Sequence, residues 1–311
     1  MERSRKMRSQ IAVVTGGFLL IAACVHVRSE AAVEGDAIRS SSDREVLERG
    51  RHLAYGPAAC VACHGDPGFA FERGEGVDIP LSGGRVFDLG PIGTVVAPNI
   101  TSDVTHGIGG ATDAQLVRSL RYGITRHGRP LIPFMAYSDM SDEDLQAIIS
   151  FLRTVPPVAR PSSPHRLSWL GAFAVKFLLT ARRPRAAPPA RFEAARSVEY
   201  GRYLTHAVAD CRGCHTTRSK LTGALVGEPF AGGSAMKGSA GTFVPPNLTP
   251  VPNGVVGGRS EQQFIEHFRA RADAFSGSPM PWFAFARMTN TELGAIYRFL
   301  SSLDPIETTW E

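Results

Sequence analysis

Two short strings decide how the chain reads: Cys60-Val61-Ala62-Cys63-His64 and Cys211-Arg212-Gly213-Cys214-His215. Superposing them sets a shift of 151 residues, and similarity spreads outward from both. Ahead of the strings, Gly50-Arg51-His52-Leu53 falls on Gly201-Arg202-Tyr203-Leu204. Beyond them, Gly93-Thr94-Val95-Val96-Ala97-Pro98-Asn99-Ile100-Thr101 matches Gly241-Thr242-Phe243-Val244-Pro245-Pro246-Asn247-Leu248-Thr249. Gly109-Gly110 matches Gly257-Gly258, and Leu145, Ile148, Phe151 and Leu152 match Leu293, Ile296, Phe299 and Leu300. Self-similarity of this kind marks a tandem duplication.

Helix-start signals recur in both copies. Thr112 with Gln115, Ser260 with Gln263 and Thr289 with Glu292 read as capping boxes, and Ser141 with Asp144 is a looser version. Each opens a stretch whose apolar residues repeat at the helical period, such as Leu145, Ile148, Ile149 and Leu152. In the first copy some 45 Gly- and Pro-rich residues separate the cysteine string from the first of these helices. So long a loop needs an organiser inside a compact domain.

The cysteines supply one. There are five, Cys24 and the two Cys-x-x-Cys pairs, and each pair is followed at once by a histidine. Cys-x-x-Cys-His is the attachment signature of c-type haem. The spacing puts both sulfurs on one side of a helical turn, where they can form thioethers with the two vinyl groups, and the next imidazole points at the iron. A four-cysteine zinc site wants its pairs about 15 to 20 residues apart, and a thioredoxin-like pair wants a βαβ context. Neither condition is met, and a disulfide within a pair is compatible only with the state before haem attachment. Covalent haem on Cys60, Cys63, Cys211 and Cys214, with His64 and His215 as axial ligands, is the expectation.

The sixth iron position decides the chemistry, because a methionine there raises the potential while an open site favours catalysis. Met135 and Met280 lie in proline-stiffened loops, Pro130 to Tyr137 and Pro279 to Trp282, and are preferred. Met140 and Met288 keep the steadier register between copies, but each precedes a helix N-cap with a leucine at N4, the arrangement of a hydrophobic staple. The seven other histidines, His26, His52, His106, His127, His165, His206 and His267, do not fall at matching positions. Asn99, Asn247, Thr101 and Thr249 read equally as haem-propionate partners and as Asx-type turns after proline.

Hydrophobic residues make up 43% and charged residues 20%, which excludes a disordered or fibrous chain. Of the net charge of +5, most sits in a leader whose first ten residues hold four bases and one acid; the remainder is only +2, so no nucleic-acid binding is expected. Ile11 to Ala23 is an apolar run of 13 residues, as in an export signal. It ends in Ile21-Ala22-Ala23-Cys24, which reads as a lipobox with Cys24 lipidated; ordinary cleavage and an uncleaved anchor stay open. All three place the body outside the cytoplasm. Between the copies, Leu145 to Phe192 holds eight bases and no acid. Within it, Leu167 to Leu179 is apolar nearly all round yet too short to span a bilayer. It reads either as a helix packed between the copies or as a face for a membrane interface or partner subunit.

The order Cys-x-x-Cys-His, Pro-Asn-[Ile/Leu]-Thr, Gly-Gly and a Pro-flanked Met before a terminal helix resembles the cytochrome c subunits of membrane-bound bacterial alcohol, aldehyde and gluconate dehydrogenases. The resemblance runs from about Glu45 to Leu303. That family often carries three haems where this chain has two motifs, and usually shows Met-Pro where this chain has Met135-Ala136-Tyr137. The resemblance implies an all-α chain of two tandem class I cytochrome c-like domains, each wrapped round one covalent haem c. The expected boundaries are residues 1–24 for the signal, 25–42 a linker, 43–159 the first domain, 160–192 the basic connector and 193–311 the second domain. It implies an electron-transfer protein and not an enzyme, on the periplasmic side of a bacterial membrane, anchored by lipid or an N-terminal segment. Electrons would pass from a dehydrogenase subunit to a quinone, an oxidase or another cytochrome. A peroxidase-like dihaem enzyme with one open-site haem is the alternative.

Overall fold

Helix starts fall where short polar side chains can cap them. In the computed structural model, which describes residues 38–69, 78–135, 137–219, 223–238, 240–272 and 277–308, the elements run α1 (Arg44–Tyr55), α2 (Cys60–His64), β1 (Val86–Asp88), β2 (Gly93–Val96), α3 (Asp113–Tyr122), α4 (Asp142–Thr154), β3 (Arg166–Leu167), α5 (Trp169–Phe173), α6 (Val198–Tyr203), α7 (Cys211–Cys214), β4 (Met236–Gly238), β5 (Gly241–Phe243), α8 (Glu261–Arg269), α9 (Trp282–Phe285) and α10 (Asn290–Ser301). The leader, Cys24 and most of the 25–42 linker lie outside the described residues. Thr112, Ser260 and Thr289 each accept the N3 backbone N–H and have a reciprocal Gln or Glu, so all three expected capping boxes form. Ser141 caps α4 through the Asp144 N–H alone.

Gly50 shows why the string ahead of the first cysteines recurs. It lies where α1 crosses α4 backbone to backbone, and a Cβ there would sit 1.9 Å from the Ala147 carbonyl oxygen. Gly201 meets the Ala295 carbonyl at the same 1.9 Å where α6 crosses α10. Only a residue without a side chain permits either approach. Around these crossings Leu53, Leu145, Ile148, Leu204, Leu293 and Ile296 are buried, and the buried residues of both helix sets join into one cluster.

Polar side chains cross between the two sets. Arg49 on α1 pairs with Asp144 at 2.8 Å and with Glu292 on α10 at 3.1 Å. His52 Nε2 lies 2.8 Å from the Glu292 carboxylate, and the Tyr203 hydroxyl donates to Asp144 at 2.7 Å. His52 and Tyr203 are equivalent in the repeat, as are Asp144 and Glu292. Each N3 carboxylate therefore receives a side chain from the other set.

The described residues are mostly helical, but they are not all-α. β1 pairs antiparallel with β2 (Val86↔Val96), β2 with β3 (Gly93↔Leu167), and β4 with β5 (Met236↔Phe243). The cause is local: Val86-Phe87 and Thr94-Val95-Val96 are short β-branched and aromatic runs within the long loop. The connector is not a helix wedged between the two sets. β3 adds to the sheet edge, and α5 sits on the turn at Gly90–Ile92, with Gly171 against the Ile92 carbonyl and its aromatic residues outward. No helix among the described residues is long and apolar enough to cross a membrane.

Candidate functional site

Both cysteine strings form a single helical turn entered through a left-handed residue, Ala59 at φ 49° and Asp210 at φ 47°. That sharp entry turns the first cysteine of each pair inward. Cys60 is buried, Cys63 and Cys211 are half-buried, Cys214 is exposed, and none of the four is in a disulfide. Burial pushes the Cys60 and Cys211 thiols up to about 12, which keeps them protonated at neutral pH. No group of three or more His, Cys, Asp or Glu side chains is set to hold a metal among the described residues, so the zinc reading finds no site there.

The two histidines share one bond. His64 Nδ1 lies 2.8 Å from the Pro98 carbonyl oxygen, and His215 Nδ1 lies 2.8 Å from that of Pro246. A carbonyl only accepts, so each Nδ1 carries the proton and each Nε2 is left with a free lone pair. This is the arrangement in which a ligating histidine is oriented by a backbone carbonyl through its other nitrogen. Burial lowers both imidazoles below their ordinary range, which keeps that lone pair unprotonated.

The Pro-Asn-[Ile/Leu]-Thr repeat exists to aim those carbonyls. Asn99 Oδ1 accepts the Thr101 N–H at 2.9 Å and its hydroxyl at 2.7 Å, while Nδ2 donates to the carbonyls of Val158 and Arg160. Asn247 does the same with Thr249, and its Nδ2 donates to the Ile306 carbonyl and the Thr308 hydroxyl. The amides are thus spent on tying the loop to the chain that follows the last helix of each set. Of the two roles open from sequence, the structure shows the Asx turn.

In the first set, Cys60, Cys63, His64 and Met135 line one cavity of about 630 Å³, walled by Val95, Leu116, Ile148 and Leu152. His106, His127 and His165 also reach its wall. In the second set, Cys211 and Met280 pack half-buried against the shared core, and Met280 sits in the loop just before α9. Met140 and Met288 are fully buried beneath their N-caps, and the carbonyl of each accepts an arginine, Arg121 and Arg269 respectively. His52 is held by Glu292, His206 by the Arg202 carbonyl and His267 beside Arg271, while His26 lies outside the described residues.

Four participants had no sequence signal of their own. The carbonyls of Pro98 and Pro246 act through backbone, which only the repeat could have flagged. The Tyr137 hydroxyl donates to the Ala58 carbonyl two residues before Cys60, and its side chain lines the cavity. Arg182, from the connector, donates to the carbonyls of Pro133 and Met135 and so grips the methionine loop.

Residues 46–152 match the family model described as cytochrome c oxidase, cbb3-type, subunit III. The chain is similar to the fructose dehydrogenase cytochrome subunit of Gluconobacter japonicus, 28% identical over 85% of this chain and 54% of that protein. It is 30% identical to the cytochrome c subunit of the quinone alcohol dehydrogenase of Gluconacetobacter polyoxogenes, over 85% of this chain and 57% of that one. The chain thus spans a little over half the length of these two relatives. With a diheme c-type cytochrome of Cereibacter sphaeroides it shares 33% identity over 65% of this chain and 67% of the relative. Each of these names denotes a cytochrome, and the two cysteine strings, the paired His–Pro bonds and this extent of identity agree: the chain belongs to the c-type cytochromes.

Proposed function

We propose that the chain is a dihaem electron carrier built of two cytochrome c domains, residues 43–159 and 193–311, joined by the 160–192 connector. Cys60 and Cys63 would hold one haem c and Cys211 and Cys214 the other. His64 and His215 would offer Nε2 to the irons, and Met135 and Met280 would offer their sulfurs. When bound, the group supplies one-electron exchange at iron.

The observation that carries this reading is the repeated bond from histidine Nδ1 to a proline carbonyl at 2.8 Å, which prepares both imidazoles as ligands. The first cavity also fits: its 630 Å³ falls within the roughly 300–1,000 Å³ of small-molecule and cofactor sites. The chain's own residues then do defined work. The Pro98 carbonyl orients His64 and raises its basicity, the aliphatic walls keep water out, and Arg182 holds the loop that presents Met135. The relatives named as dehydrogenase cytochrome subunits support a dehydrogenase subunit as electron donor. A quinone, an oxidase or another cytochrome would be the acceptor. The leader supports export to the periplasmic side, with attachment to the membrane through lipid on Cys24 or through the N-terminal segment.

A pyridine haemochrome assay on protein matured in a host competent in cytochrome c assembly should return two covalent haems per chain. A value of one would leave one cysteine string idle, and a colourless product would end the reading.

A further inference from the structure

The connector presents an apolar ridge that the electron-carrier reading does not use. α5 continues through a π-helical turn to Leu178, giving ten residues, about 15 Å of helix. Its inner side is Gly171, where a Cβ would meet the Ile92 carbonyl at 2.0 Å. Ser168 fastens the start, its N–H donating to the Ile92 carbonyl and its hydroxyl to the Pro91 carbonyl. The outer side carries Trp169 at 83% exposure, Phe173 at 50%, Phe177 at 56% and Leu178 at 66%. Trp169, Phe173 and Phe177 recur every four residues and form one stripe, the two phenylalanine rings 4.9 Å apart. A contiguous apolar ridge of this kind marks a surface meant to be covered.

Its charge is one-sided. The Lys176 ammonium lies over the Phe177 ring at 5.2 Å, and Arg166 and Arg183 are exposed on either side in sequence. From Leu145 to Phe192 no acid offsets them. Asp88, across the sheet from Arg166, is an exposed acid that accepts the Gly90 N–H, and it lies on β1 outside the connector.

We propose that this helix lies in the interface of an anionic lipid bilayer, with Trp169, Phe173 and Phe177 at the headgroup–acyl boundary and Lys176, Arg166 and Arg183 on the phosphates. The ridge is apolar and the charged residues of the connector around it are all basic, which fits an anionic lipid surface better than a folded partner. The proposal rests on the reading of a membrane-attached carrier and gives that attachment a second point. A lipid on Cys24 would attach the body to the bilayer at a single point. Durable interfacial binding takes two signals, and the connector supplies the one that fixes which face of the protein looks at the membrane.

The test uses the mature, haem-loaded chain carrying Cys24→Ser, so that no lipid anchors it, floated with vesicles of phosphatidylcholine alone or mixed with phosphatidylglycerol. The protein should float with the phosphatidylglycerol vesicles, and binding should weaken as salt rises toward 1 M, where screening shortens to about 3 Å. Trp169→Ser with Phe177→Ser should weaken binding at least about tenfold. Lys176→Glu should weaken it by a smaller factor, with the Soret spectrum of both variants unchanged. Failure of the Cys24→Ser protein to float would overturn the proposal while leaving attachment through Cys24 intact if the wild type still fractionates with membranes. Equal flotation of the Trp169/Phe177 variant would overturn it too, as would finding the ridge occupied by a second copy, seen as a dimer in light scattering that these serines dissolve.

Discussion

Replacing Asn99 by alanine tests the step on which the site depends, the aiming of the Pro98 carbonyl. The substitution removes an acceptor for the fully buried Thr101 N–H and hydroxyl, and donors for the Val158 and Arg160 carbonyls. A buried polar group left without a partner costs about 1–3 kcal/mol. The Thr101 N–H carries that in full, the hydroxyl can turn elsewhere, and the half-buried carbonyls recover part of their loss through water. The sum is about 2–4 kcal/mol, or a fall in Tm of about 3–6 °C for a chain of this size. The loop would also release the Pro98 carbonyl from His64 Nδ1. A less basic imidazole favours reduced iron, so one of the two potentials should rise while the other stays in place. Thermal unfolding followed at the Soret band and a redox titration read the two effects separately. Asn247→Ala should repeat both on the other haem. A variant of Asn99 that unfolds at the wild-type temperature with both potentials unmoved would show that the loop is held by something else.

Gly50→Ala and Gly201→Ala each force a Cβ against a backbone carbonyl that cannot move aside, and should cost about 2 kcal/mol or more in chemical denaturation; a neutral result would mean the helices can separate. Met135→Ala and Met280→Ala should each lower one haem's potential and open that haem to carbon monoxide, and carbon monoxide binding by the wild type would favour the peroxidase-like alternative. Burial alone would raise the Glu292 carboxyl, but His52, the Thr289 N–H and Arg49 together hold it below its ordinary value. Its stabilising contribution is therefore complete above pH 4.5, the ordinary value, and lost as pH falls through the lower folded value. Glu292→Gln should flatten that acid limb of a stability–pH curve, and an unchanged limb would place the acid sensitivity elsewhere.

Helices α3, α4, α8 and α10 and their starts were legible because each rests on local chemistry, a cap and a period. The four cysteines and two histidines were legible because their spacing is itself the chemistry. The strands were not, since Val86-Phe87 and Arg166-Leu167 are too short to show a period, and β3 joins its sheet from more than 60 residues away. The role of Asn99 stayed open because an Asx turn and a propionate contact ask for the same side chain, and only its partners tell them apart. Arg182 was invisible for a related reason. It acts on the carbonyls of Pro133 and Met135, and a backbone acceptor leaves no mark on the residue that supplies it.

What the two copies keep and what they change divide along the same line. The crossing glycines, the N3 carboxylates and the Pro-Asn-x-Thr loops are kept, and together they set two helices and one histidine in each. The methionine loops are not. The first is gripped by Arg182 from the connector, whereas beside the second the Arg271 guanidinium and the His267 ring rest on Trp282, 5.2 and 5.6 Å from its ring centre. On the proposed reading, the imidazole side of the two irons is alike and the sulfur side differs. Axial surroundings tune potential, so the duplication yields two unequal sites. Unequal potentials would give the electron a preferred resting site within the chain, while the donor and the acceptor set the direction of net flow.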